Sequence, residues 1–222
     1  MKTLRVRISV FLCAMSFERM FFRLFNVFSR WKCSHGYGVQ SPFAYQFIRG
    51  VIHEQGEYYA YATLRRLSST ATKDSALAHF DMKWNQLFFR LANFVQPRTL
   101  LLPTSLSPLS QQYFKSGCLS ARVNTYQTTE DGARLLAQEG VGPWLCLCDV
   151  LLAAQFVQRT LMSAPFSDGW LLVTGINKDQ GAGRLWQSLV DNKKTVLTFD
   201  LYQVGLIFFN LKYVKQHYQL KF

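Results

Sequence analysis

The stretch Gln96–Gln112, QPRTLLLPTSLSPLSQQ, narrows the choice of fold more than any other part of this chain. Pro97 closes whatever precedes it, because proline lacks an N–H and disfavours helix at the residue before it. Thr99–Leu102 is a short, largely apolar run, the pattern of a strand covered on both faces. Thr104, Ser105 and Ser107 then bring hydroxyls, and Ser107-Pro108 suits an N-cap followed by the first helical position. A buried strand, a tight loop and a helix start form the repeating unit of α/β sheets. The helix N-terminus in that unit is where many such proteins hold anionic or nucleotide-like ligands. Here the layout is present without glycines in the loop.

The rest of the chain repeats the alternation. Upstream, Leu77, Phe80, Trp84, Leu87, Phe88, Leu91 and Phe94 keep helical period as far as Pro97. Downstream, Val123–Tyr126, Trp144–Cys148 and Trp170–Ile176 read as strands. Helices are expected from Thr128 or Thr129 to Gln138, ended by Gly140, and over Leu151–Ala164 and Arg184–Val190. Val196–Leu201 and Val204–Asn210 are adjacent strands with a tight connection, so they must run antiparallel. The fold class predicted is α/β: a mostly parallel twisted sheet with an antiparallel C-terminal hairpin. At 49% hydrophobic and 17% charged residues the chain can fill such a core, and wholesale disorder is excluded. Ser68–Lys73, small and polar, reads as a linker between an N-terminal helical extension, 1–67, and the main domain, 74–222.

Within the extension, Phe17, Met20, Phe21, Leu24, Phe28 and Trp31 recur at helical spacing, opposite Arg19, Arg23, Asn26 and Arg30. Two readings stand: a helix that docks its aromatic face on the domain, and a helix that lies on a membrane surface with its arginines toward anionic lipid. Ile8–Met15 is far short of the ~20 residues that cross a bilayer. Glu18 and Arg19 interrupt it and no small-residue cleavage site follows, which argues against a secretory leader. Five cysteines without regular spacing do not make a disulfide framework. Cys146 and Cys148 lie two apart in one strand and share a face, as small core residues. No second pair completes four ligands, so no metal is expected. The compartment expected is a reducing cytoplasm, with membrane association open through 17–31.

A net charge of +12 favours phosphates, nucleic acid or anionic lipid. The basic residues are spread along the chain and no motif that reads DNA or RNA is present, so no nucleic-acid partner is expected. The absence of a G-x-S-x-G elbow and of a Walker loop argues against the hydrolases that use them.

Two further segments carry a resemblance. His35-Gly36-Tyr37-Gly38-Val39-Gln40-Ser41-Pro42-Phe43 resembles the HG(F/I)G-(I/V)-HSPF signature of a bacterial O-methyltransferase-like family. Asp200-Leu201-Tyr202-Gln203-Val204-Gly205-Leu206-Ile207-Phe208-Phe209, running on to Gln216-His217-Tyr218 and Phe222, resembles that family's closing strands. Together with the element order, this chain looks like a class I S-adenosylmethionine-dependent methyltransferase from about Trp31 onward. The resemblance implies a Rossmann-like methyltransferase domain over 74–222 and S-adenosylmethionine as cofactor.

The resemblance also implies where the cofactor should touch. Such enzymes end their first strand in an acid and follow it with a glycine-rich turn. In a gapless alignment Leu102 stands at the acid, Thr104 at the first glycine and Pro108 at a later one. Shifting by one residue puts Leu101 at the acid and Pro103 at a glycine. Thr104, Ser105 and Ser107 offer hydroxyls in place of glycine backbone. Gln127 stands where a second acid normally accepts from the ribose hydroxyls, and a neutral carbonyl accepts at roughly half the strength. Asp149 matches the first acid of metal-assisted relatives, but Thr174-Gly175-Ile176-Asn177 replaces their later Asp-rich turn. One carboxylate and one amide make a poor divalent-cation site.

The expectation is therefore a methyltransferase-like protein with weakened or lost cofactor binding and an unknown substrate. An active O-methyltransferase is the first alternative, with Asp149 or His35 orienting or deprotonating an acceptor hydroxyl. A membrane-surface or partner-binding module acting through 17–31 is the second. The partners left open are a small-molecule acceptor, a membrane surface and a second copy of the chain.

Overall fold

The computed structural model describes residues 38–70, 80–138, 142–159 and 168–222, without side-chain detail for 68–70 and 159. His35, the amphipathic stretch 17–31, the second half of the Ser68–Lys73 linker, the start of the helix at Leu77, Gly140 and the last residues of the Leu151–Ala164 helix lie outside the described residues, while Ser68–Thr70 of the expected linker end a helix instead.

The described residues begin with a short helix α1, Pro42–Phe47, which passes into a π-helical turn, Ile48–Ile52. Ser41 caps α1, its hydroxyl accepting the Ala44 N–H at 3.3 Å, and Pro42 takes the first position, the places these two residue types favour. Helices α2, Tyr61–Thr70, and α3, Met82–Val95, follow. Asp81 caps α3 through the Trp84 N–H at 3.1 Å. Gln96 ends α3 in a left-handed conformation, φ 46°, just before Pro97.

The core of the fold is a seven-stranded sheet. Its strands are β1 Thr99–Pro103, β2 Arg122–Tyr126, β3 Trp144–Asp149, β4 Gly169–Thr174, β5 Leu197–Asp200, β6 Val204–Phe208 and β7 Gln216–Gln219. The helices between them are α4 Pro108–Gly117, α5 Thr129–Gln138, α6 Val150–Arg159 and α7 Gln180–Asp191. The spatial order is β2-β1-β3-β4-β6-β5-β7. Only β6 runs against its neighbours, pairing antiparallel with β4 and β5. The mostly parallel sheet with a reversed hairpin is thus observed as expected. The residue pattern, read as ending in strand at Asn210, did not mark β7, which pairs parallel to β5 on the far edge. Only Tyr218 of β7 is buried, so its alternation is too brief to announce a strand.

Strand geometry divides the buried residues into two layers, because alternate side chains point to opposite faces. Leu100, Leu102, Leu145, Leu147, Leu172 and Phe199 face a layer shared with α1 to α4. Leu101, Trp144, Cys146, Cys148, Leu171 and Val173 face a layer shared with α5 to α7. Gly169 and Gly205 are required by contact: a Cβ at either would overlap the indole ring of Trp144 or Trp186 respectively.

The described part of the N-terminal extension shares the first layer. Phe47 lies 4.8 Å from the Trp170 ring and 4.9 Å from Phe199, and Phe43 lies 4.5 Å from Tyr213 and 5.5 Å from Phe208. Ser41, Pro42 and Phe43 therefore act as a helix cap and an aromatic anchor. Arg90 of α3 adds a polar tie. It is 5% exposed, and its guanidinium donates to the Val51 carbonyl at 2.6 Å and the Ile52 carbonyl at 3.2 Å. A buried cation is tolerated there because it meets carbonyls at a helix C-terminus, the negative end of the helix dipole.

Candidate functional site

The sheet reverses its winding between β1 and β3: from β1 the chain moves outward to β2, and from β3 it moves the other way to β4. Ligands of open α/β sheets bind outside the carboxyl ends of the strands at such a point. The loop after β1, the end of β2 and the end of β3 all lie on that edge, so Thr104, Ser105, Ser107, Gln127 and Asp149 come to one side of the molecule. His35 lies outside the described residues.

The loop after β1 is closed on itself. The Thr104 N–H donates to the Tyr126 carbonyl at 2.9 Å, which sets Thr104 beside Gln127. The Leu106 N–H turns back to the Pro103 carbonyl at 3.0 Å. Leu106 and Ser107 are buried, while Thr104, Ser105 and Gln127 are exposed. Leu102 has no exposed surface and packs in the first core layer; Leu101, its counterpart in the shifted register, is equally buried in the second.

Helix α4 starts as the sequence predicts, with Ser107 as cap and Pro108 at the first position. That arrangement engages part of the anion-binding capacity of the helix start. Pro108 has no N–H to give. The Ser107 hydroxyl takes the Ser110 N–H at 3.3 Å and pairs with the Ser110 hydroxyl at 3.0 Å. The Gln111 N–H goes to the Ser107 carbonyl at 3.1 Å, and its side-chain amide to the Leu106 carbonyl at 2.9 Å.

Asp149 closes β3 and is exposed. One carboxylate oxygen accepts the Leu152 N–H at 2.7 Å, so Asp149 caps α6. It pairs in register with Thr174 of β4. Beneath it, Cys146 and Cys148 are buried on one face. Hydrogen bonding with Cys146 and burial push the Cys148 thiol well above its usual range, so it stays protonated. The Tyr126 hydroxyl donates to the Leu147 carbonyl at 2.7 Å, and burial raises its pKa strongly. Among the described residues no cluster of three His, Cys, Asp or Glu side chains could hold a metal ion, and no helix is long and apolar enough to cross a membrane.

Farther along the same edge the structure opens a cavity of about 410 Å³. Its walls are Phe80, the loop after β4 (Thr174, Gly175, Asn177 and Lys178) and the β5–β6 turn at Tyr202–Val204. Sequence reasoning placed the ligand at Thr104–Ser107 and missed this cavity. Its clearest local signal, Tyr202 at φ 76°, cannot be read from the residue type, because tyrosine is not a residue that marks left-handed turns.

No known protein family matches the sequence, and a search of curated proteins returns no match. Among solved structures the chain is similar to the SAH-bound methyltransferase PaMTH1 of Podospora anserina. The TM-score is 0.51 at 12% identity, over 77% of this chain and 97% of that one. At that identity the likeness concerns architecture, and with the sheet order described above it gives this chain a Rossmann-like, class I methyltransferase fold.

Proposed function

We propose that this is a methyltransferase-like protein whose binding of S-adenosylmethionine is weakened or lost. The fold neighbour carries the demethylated cofactor, which makes that molecule the natural ligand to test. The observation that carries the reading is Leu102, a fully buried leucine where the resemblance calls for an acid at the end of the first strand. The surroundings point the same way. The Thr104 amide is engaged by Tyr126, and Pro108 and Ser107 leave the start of α4 with less to offer a ligand. Gln127 is exposed in the right place but brings no charge. These residues do not fit the adenosyl cofactor.

Isothermal titration calorimetry of the full chain with S-adenosylmethionine and with its demethylated product tests this. The expected result is no saturable binding in the micromolar range. Micromolar affinity for either, abolished by a bulky replacement at Thr104 or Ser105, would overturn the proposal.

One observation favours a second reading, an active O-methyltransferase. Asp149 is exposed and pairs in register with Thr174, which lines the cavity, so a carboxylate stands next to a space that could take an acceptor. An established transfer activity that survived Asp149→Ala unchanged would remove Asp149 from it.

A further inference from the structure

The cavity at the β5–β6 turn differs in construction from the loop after β1. There Leu102 and Leu106 are buried in the core; here about 410 Å³ stands open, within the range of small-molecule pockets. Two independent features of its walls point to a ligand.

The first is a strained residue held in place from several sides. Tyr202 sits at φ 76°, a conformation that disfavours any side chain as bulky as tyrosine and costs on the order of 1–3 kcal/mol. A glycine would sit there without strain. The turn is nonetheless fixed by several hydrogen bonds, one of them local, from the Gln203 N–H to the Leu201 carbonyl at 3.1 Å. The Tyr202 N–H donates to the Asp200 carboxylate at 2.7 Å, and the Asn177 side-chain amide donates to the Tyr202 carbonyl at 2.7 Å. The Gly175 N–H reaches the Gln203 carbonyl at 3.1 Å, and the Leu201 N–H reaches the Val204 carbonyl at 2.9 Å. The outcome is a tyrosine 63% exposed at the rim of an open cavity whose wall also includes the half-buried ring of Phe80.

The second feature is the charge of the walls. Lys178 supplies an ammonium group and Gln203 an amide, and among the described residues no carboxylate lines the cavity. The described acids next to the wall segments each hold a backbone amide, and Asp81, beside Phe80, does so as the cap of α3. Asp149 caps α6, Asp179 caps α7 through the Ala182 N–H at 2.8 Å, and Asp200 holds the Tyr202 amide. Aromatic walls with one lysine among the described lining residues suit a planar body bearing one negative charge.

We propose that this cavity binds a small aromatic carboxylate, its ring against Phe80 and Tyr202 and its charge toward Lys178 and Gln203. The inference does not rest on the cofactor reading, since calorimetry with the cofactor interrogates the loop after β1 and the present test interrogates the cavity.

The test titrates the full chain with three probes, followed by ligand-observed NMR and calorimetry: benzoate, its uncharged analogue benzamide, and cyclohexanecarboxylate, which keeps the charge and lacks the aromatic ring. Benzoate is expected to saturate, and each of the other two to bind at least threefold more weakly. Lys178→Gln is expected to weaken benzoate about threefold, the size of an exposed charge pair, and to leave benzamide unchanged. Tyr202→Asn removes the ring at a residue type that accepts left-handed φ, and is expected to weaken both aromatic probes. Both side chains are exposed, so neither change opens the core, and circular dichroism verifies the fold. The proposal fails if benzoate does not saturate, if benzamide binds equally well, or if both variants bind benzoate like the parent.

Discussion

Replacing Leu102 by Asp puts the acid that the resemblance calls for back at the end of β1, and so asks directly whether that position faces a ligand or the core. The structure answers core: Leu102 is 0% exposed and packs in the layer that holds Leu100, Leu147 and Phe88. Removing a buried leucine side chain costs about 2–5 kcal/mol, counting the lost transfer energy and the cavity left behind. A carboxylate buried there adds a second cost. Full burial can shift a carboxyl's proton affinity a thousandfold or more, and each tenfold is about 1.4 kcal/mol, so roughly 4 kcal/mol is added at pH 7. Together these approach the whole stability of a domain this size, about 5–15 kcal/mol. The sign with pH follows. The folded-state pKa of the new carboxyl would be raised, so its proton stays bound in the folded form where the unfolded chain has released it. The charge cost is therefore absent below the ordinary Asp range and grows as pH rises toward the raised value. Urea unfolding of Leu102→Asp and Leu102→Ala at pH 4.5 and 7 is the assay. The Asp variant should lose several kcal/mol more than the Ala variant at pH 7, and the gap should narrow in acid. An Asp variant within about 1 kcal/mol of the parent at both pH values, binding the cofactor, would show that β1 ends in open space and refute the packing argument.

Three other outcomes are expected. Arg90→Met leaves the Val51 and Ile52 carbonyls without their donor and should cost about 3 kcal/mol in urea unfolding, with Arg90→Lys recovering less than half because one ammonium cannot reproduce the guanidinium fork. Asp149→Ala should cost about 1 kcal/mol by uncapping α6 while Asp149→Asn stays near the parent; equal stability of Ala and parent would disprove the cap. Tyr126 keeps its proton in the folded state above pH 10, where the unfolded chain loses it, so its contribution is complete below pH 10 and declines as pH rises beyond. Tyr126→Phe should be about 1 kcal/mol less stable at neutral pH and show a shallower alkaline decline than the parent, both read from urea midpoints.

The sequence by itself determined most of the elements of the sheet and the starts of two helices, though not β7 or the ends of β4, β6 and α7. Ser41-Pro42 and Ser107-Pro108 start helices because a cap bonds only to an amide three residues on, a distance adjacency alone fixes. The reversed hairpin at 204–208 followed from two apolar runs too close in sequence to pair in parallel. Long-range relations were decided only by the tertiary structure. Arg90 bonds to a carbonyl 39 residues away, and Asn177 to one 25 residues away, so neither pairing leaves a local trace. The sequence also shows a leucine at position 102 without showing what surrounds it; the sheet order places α3 and β3 against it and makes it core. The cavity was invisible for the same reason: Phe80, the 174–178 loop and the 202–204 turn become one wall only after β6 has inserted between β4 and β5. Periodicity reports which face of an element is buried, whereas the position of an open space depends on which elements the chain brings side by side.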